Sequence, residues 1–219
     1  LVQSLTYLWF IDSILFGQDY FIERLDELIV SNRLNNQLSG LRVWVVHLKE
    51  TLVATFNPTE TNEVKPLVAP KVDNLSTAGH HLIGYLSAYA NALYCCTHFV
   101  IKEAAEHIQE AGYLALNTSD VISETLLPIW LIEFILYMQQ NRIREALSLV
   151  QAQSKKAKSG ILRNPHPLLT ILNEFVELVE DKEHQQLINR VTEHTQNKSK
   201  TDPLEVIAEQ LLATGYLIH

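Results

Sequence analysis

The sequence predicts an all-α protein of stacked antiparallel helical hairpins, arranged as a short α-solenoid or an irregular helical bundle. Three observations predict it. Apolar residues recur at steps of three and four through most of the chain, the period of a helix with one buried face. Glycine and proline number only seven each in 219 residues, too few for the turn that a sandwich or barrel needs every ~8–12 residues. Finally, a shift of 41 residues lays Glu133, Phe134 and Ile135 on Glu174, Phe175 and Val176, and Ala146, Leu147 and Val150 on Leu187, Ile188 and Val191, without a gap. Such a period suggests hairpins that bury their apolar faces only by stacking.

The elements follow in order. Leu5, Leu8, Trp9, Ile11, Leu15 and Phe16 form one helical stripe, Gly17-Gln18-Asp19 a turn, and Tyr20, Phe21, Leu25, Leu28 and Ile29 a second stripe. Val43 to Val46 is an apolar, β-rich run that by itself would suit a strand. The longer pattern of Leu41, Trp44, Val45, Leu48, Leu52 and Phe56 makes it a helix. Residues 57–76 hold Pro58, Pro66 and Pro70. Proline removes a donor and pushes its predecessor out of the α region, so an extended or mobile connection is expected there.

From Thr77 to Gly112 there is no proline. Leu82, Tyr85, Leu86, Tyr89, Leu93 and Cys96 make one stripe; Val100, Ile101, Ala104, Ala105, Ile108 and Ala111 make another. A break is expected near Thr97-His98, where the β-branched Thr97, Val100 and Ile101 are weak helix formers. Pro128 is expected to start a helix, and Gln139-Gln140-Asn141 to turn the chain into another that runs through Gln153. Residues 154–166, with Lys155, Lys156, Lys158 and Gly160, are expected to form a loop. Pro167 opens a helix to about Glu180, and Asp181-Lys182 turns into the next. Asp202-Pro203-Leu204-Glu205 carries an N-cap, a proline at the first helical position and a capping-box glutamate. The expected organisation is a hairpin plus helix over 1–56, a connection over 57–76, and a hairpin-repeat region over 77–219, with one continuous domain as the alternative.

Phe134, Tyr137, Asn141, Glu145 and Ala146 together resemble a degenerate tetratricopeptide hairpin, with an aromatic on the first helix and a small residue after a short turn on the second. The resemblance covers part of the C-terminal third. Ile135 or Leu136 stands where that family has glycine, and the closing proline is missing. The resemblance implies a TPR-like topology and a non-catalytic scaffold that binds peptides or proteins.

The formal net charge is −8. A duplex nucleic-acid binder neutralises phosphates with a basic surface, so no nucleic acid is expected, and a basic protein partner would suit the charge. Cys95 and Cys96 are the only two cysteines. Neighbouring cysteines rarely meet disulfide geometry, and two thiols fit a reducing cytoplasmic compartment. The apolar run from Leu126 to Met138 is interrupted by Pro128 and Glu133 and is shorter than the ~20 residues of a membrane span, so no span is expected.

No phosphate loop, zincin pair or nucleophile elbow is present. No catalytic residue, cofactor or metal is therefore expected. Cys95, Cys96 and His98 are the one sulfur–imidazole cluster, short of the four ligands of a structural zinc site. A nucleophile there would need a depressed thiol pKa. The residues that point to a partner-binding surface are His80 and His81 at a helix start, the aromatics Tyr85, Tyr89, Trp130 and Tyr137, since Tyr and Trp are favoured in binding hot spots, and Glu133. That carboxylate, like Asp12, interrupts an apolar helix and must point outward or find a cationic partner. The reading that follows is a protein–protein interaction module of adaptor or secretion-chaperone type. The alternatives are an immunity protein that neutralises a basic toxin domain, and a cysteine-dependent enzyme.

Overall fold

A computed structural model of the chain describes residues 23–27, 39–56, 65–73, 75–117, 129–140, 142–160, 169, 172 and 173. Among these the regular structure is helix, with no strand. The fold is all-α, as the apolar periodicity predicts. The chain divides into two compact units, Leu1–Ile129 and Trp130–His219. The first predicted turn, most of the first hairpin, Asp12, the 174–191 copy of the repeat and the capped terminal helix lie outside the described residues.

In the first unit, helix α1 spans Ser39–Phe56. Leu41, Trp44, Val45, Leu48 and Leu52 are all buried, and together they are the predicted stripe. The β-branched run is split by the helical period: Val45 faces in and Val43 is 55% exposed. Buried Thr51 and Thr55 return their hydroxyl protons to the carbonyls one turn back, of His47 and Thr51. This satisfies them without an outside partner. Residues 23–27 form a helical turn whose Leu25 is buried and whose Asp26 pairs with Lys49 of α1.

Helix α2 spans Thr77–Thr97. Ser76 is its N-cap, accepting the Gly79 N–H on Oγ at 3.1 Å. Leu75 folds over that first turn so closely that a Cβ on residue 79 would stand 2.7 Å from its Cγ. From Tyr85 to Ala92 every residue is buried. A helix buried on all sides is the central element of its unit.

The predicted break falls at His98–Val100. The Val100 N–H bonds to the Cys95 carbonyl at 2.8 Å and the Phe99 N–H to Cys96 at 3.2 Å. These are the two bonds of a Schellman cap. Phe99 takes the left-handed position with φ +59°, where glycine is usual because a Cβ crowds the following carbonyl.

Helix α3, Ile101–Leu116, then runs back along α2. Its far end meets the start of α2, where His81 Nδ1 lies 2.9 Å from the Asn117 carbonyl. Its buried residues are Ala104, Ile108 and Ala111, a narrow stripe of mostly small side chains. The hairpin also closes tightly at Gly84, where a Cβ would stand 3.0 Å from Leu114 Cδ1.

Helix α4 spans Ile129–Gln139 and belongs to the second unit from Trp130 on, with Leu131, Ile132, Phe134, Ile135, Leu136 and Met138 buried. The turn at Gln140 leads into helix α5, Ile143–Lys158. Arg142 binds the turn together. Its N–H reaches the Tyr137 carbonyl at 2.8 Å, its guanidinium lies 4.7 Å from the Tyr137 ring centre, and its Nε donates to Glu145 at 2.9 Å. That charged hydrogen bond pulls the Glu145 carboxyl below its ordinary range.

The expected loop from Ser154 is corrected here: α5 continues through Lys155, Lys156 and Lys158. Lysine is a good helix former, and three of them in the last turn complement the negative end of the helix dipole. Ser154 is a buried residue of α5 whose hydroxyl bonds to Asn173 at 2.6 Å. Ser159 is the C-cap, and Gly160 follows it in the left-handed region with φ +73°.

Candidate functional site

Helix α2 carries two buried polar side chains one turn apart, Ser87 and Asn91. An unpaired polar group in a buried helix costs about 1–3 kcal/mol, so each must find a partner, and both find one on a neighbouring element. Ser87 accepts the Trp44 indole N–H from α1 at 2.8 Å and passes its own proton to the Ile83 carbonyl at 2.8 Å. Asn91 reaches in sequence back to residues 65–73, a strap without helix or strand structure. Its Oδ1 accepts the Leu67 N–H at 2.8 Å, and its Nδ2 donates to the Leu67 carbonyl at 2.9 Å.

This two-bond exchange between a side-chain amide and the backbone N–H and C=O of one residue is the pattern of a hydrogen-bonded residue pair in an antiparallel sheet. It grips main-chain atoms, so it is indifferent to the side chain at residue 67. The strap adds two apolar anchors, Leu67 and Val72, both buried. Pro66, Val68, Ala69 and Lys71 are exposed, Val68 to 77%. Pro66, immediately before Leu67, carries no N–H of its own, so it offers no donor to compete with Leu67 for Asn91. Ser87 and Asn91 share one face of α2, so α1 and the strap are both tied to that face.

The sequence-derived site residues separate. In the first unit Tyr85 and Tyr89 are core, their rings 5.8 Å apart, and burial pushes both phenols above their ordinary range. They offer no surface to a partner, because α2 is buried around its whole circumference from Tyr85 to Ala92. His80 and His81 are partly exposed at the same, open end of the hairpin but face different partners. His80 Nδ1 lies 3.1 Å from the carbonyl of the N-cap Ser76, and His81 Nδ1 reaches α3 as described. Trp130, Glu133 and Tyr137, in the second unit, are all partly exposed on α4, so a surface role is open to them. Tyr137 is engaged by Arg142.

The sulfur–imidazole cluster is built as core. Burial pushes the Cys95 thiol up, with the Glu103 charge adding to it, and pushes Cys96 up to about 12. Both are free thiols and stay protonated at neutral pH. His98 stacks on Tyr94 with ring centres 4.1 Å apart and directs Nδ1 at the Tyr94 carbonyl, 2.9 Å away. Among the described residues no group of three or more His, Cys, Asp or Glu is placed to hold a metal ion. No described helix is long and apolar enough to cross a membrane.

Asn91 and Leu67 are the site residues that sequence reasoning missed. The signal was present: Ala90-Asn91-Ala92 is a lone amide within an apolar, small-residue stretch of helix, and a buried amide demands partners. Comparison with protein-family models, with curated proteins and with solved structures gave no match to this chain.

Proposed function

We propose that the chain is a protein-interaction module that holds an extended segment of polypeptide against helix α2. The observation that carries this reading is the Asn91 grip, which binds the backbone N–H and C=O of one residue of the strap. Main-chain hydrogen bonds supply affinity for an extended peptide, and pockets for individual side chains supply specificity. The strap gives both in one place, with Leu67 and Val72 as the seated side chains. An adaptor or secretion chaperone of the cytoplasm is the setting that the acidic charge and the two free thiols favour. The buried, protonated thiols weigh against a cysteine nucleophile, which works as thiolate.

The test is capture from native extract followed by lysine cross-linking. Lys65 and Lys71 flank the seat and are exposed. The expected result is a stoichiometric protein partner whose cross-links converge on Lys65, Lys71 and α1. A folded chain that retains no partner, or a partner cross-linked only elsewhere, overturns the reading.

A further inference from the structure

We infer that the strap is an intrachain occupant of a peptide seat, so that a partner segment must displace residues 65–72 to bind. The inference rests on the binding reading above and adds its regulation. The partner segment has a stated chemistry: an extended peptide with a large apolar residue at the gripped position and proline just before it.

Three features of the strap make it replaceable. First, the Asn91 bonds go to the Leu67 N–H and carbonyl, groups that every non-proline residue carries. Any extended chain can therefore take the same two bonds. Second, the side chains that discriminate are few. Leu67 and Val72 enter the protein, while Val68, Ala69 and Lys71 face solvent. Third, the strap sits on the helix pair without belonging to a helix itself. Its exchange leaves the α1–α2 packing intact, because Trp44 is tied to Ser87 one turn away from Asn91.

The tether sets the size of the effect. A segment on a short linker sees its seat at an effective concentration on the order of millimolar. A free peptide with micromolar affinity for the open seat would then be weakened about 1,000-fold by the resident strap, since only the strap-free fraction can bind it.

The experiment replaces residues 65–72 of the full chain by a Gly/Ser linker and titrates it with a fluorescein-labelled peptide of residues 65–73. Circular dichroism first establishes that the variant keeps its helix content. Saturable binding to the linker variant, about 1,000-fold weaker binding to the intact chain, and loss of at least about tenfold on Asn91→Ala in the linker variant or Leu67→Ala in the peptide are expected. A folded linker variant that binds no peptide, or an intact chain that binds it equally well, overturns the inference.

Should the linker variant not fold, hydrogen exchange on the intact chain decides. The Leu67 amide is expected to exchange by local opening, at least about 100-fold faster than the amides of Leu86 and Ala90. Equal protection overturns the inference. Partner capture separates the two readings. Equal capture by intact chain and linker variant keeps the interaction reading and removes the strap's gating. Peptide binding without any protein partner supports the seat and strikes the interaction reading.

Discussion

Helices α2 and α3 are the two arms of one hairpin, and they are built on opposite principles. On α2 twelve residues are buried; on α3 only Ala104, Ile108 and Ala111 are. The apolar face of α3 is a stripe, and its polar side chains go to water or to one another, as Lys102 does with Glu106. Around α2 there is no water-facing side to receive polar groups over its central turns. Each polar residue that survives there is committed to a tertiary hydrogen bond: Ser87 to Trp44, Asn91 to Leu67. The difference teaches where to look for specificity in a helical protein. On an amphipathic helix a polar residue is the default and says little. On a surrounded helix it names a partner.

The largest expected break in this comparison is at the packed surface. Leu86→Ala on α2 is expected to destabilise by about 2–5 kcal/mol through lost burial and the cavity left behind. Gln109→Ala on the outer face of α3 is expected to stay within about 0.5 kcal/mol. Urea unfolding monitored by circular dichroism measures both. Similar costs for the two would show that the arms are not packed differently.

Next comes the grip. Asn91→Ala leaves the Leu67 N–H and carbonyl without their partner, at an expected cost of about 1–3 kcal/mol. Thermal unfolding reads that cost, and hydrogen exchange at Leu67 is expected to accelerate while Leu86 is unaffected relative to global stability. Equal acceleration along all of α2 would mean that Asn91 supports the helix rather than the strap.

The buried thiols make a pH prediction. Cys96 titrates near 12 in the folded protein against 9.0 for an unburied thiol, with burial as the main cause and Cys95 adding to it. A raised native pKa means that the unfolded chain releases the proton first. The stabilisation is fully present below pH 9 and is lost as pH rises from 9 towards 12. The melting temperature is expected to fall over that interval, and less steeply in Cys96→Ala. Tyr85 and Tyr89 act with the same sign at higher pH. A wild-type curve that is flat to pH 11, or identical slopes for the two proteins, would contradict burial as the origin.

The smallest effect has the opposite sign. Phe99 closes the α2–α3 turn at φ +59° with its side chain 51% exposed. Phe99→Gly relieves the left-handed position, offset by the greater freedom of glycine in the unfolded chain, for a net gain of about 0.5–1 kcal/mol. A loss of stability would mean that the Phe99 ring makes a contact worth more than the backbone cost.

Much of the helical framework was legible. The end of the proline-bearing connection before Thr77, the break near Thr97-His98, the helix through Val43–Val46 and the turn after Gln139 all follow from proline placement, periodicity and propensity. These are local properties, written within a few turns of where they act. The end of α5 was misread because lysine-rich polarity looks like a loop, although the same residues suit a helix C-terminus. The site was less legible. Tyr85 and Tyr89 read as an aromatic stripe that could face either way, and a helix with apolar residues on all sides contains no internal clue to which neighbours cover it.

By itself, then, the amino-acid sequence determined that this is an α-helical protein and where several of its helices begin and end, because hydrogen bonds and side-chain periods of a helix are closed within about four residues. Only the tertiary structure decided what those helices do to one another. Asn91 finds Leu67 across 24 positions, and Ser87 finds Trp44 across 43. No period or propensity encodes such pairs. They are selected because, once the apolar surfaces of α1, the strap and α2 close together, a buried amide or hydroxyl is stable only where a partner already stands.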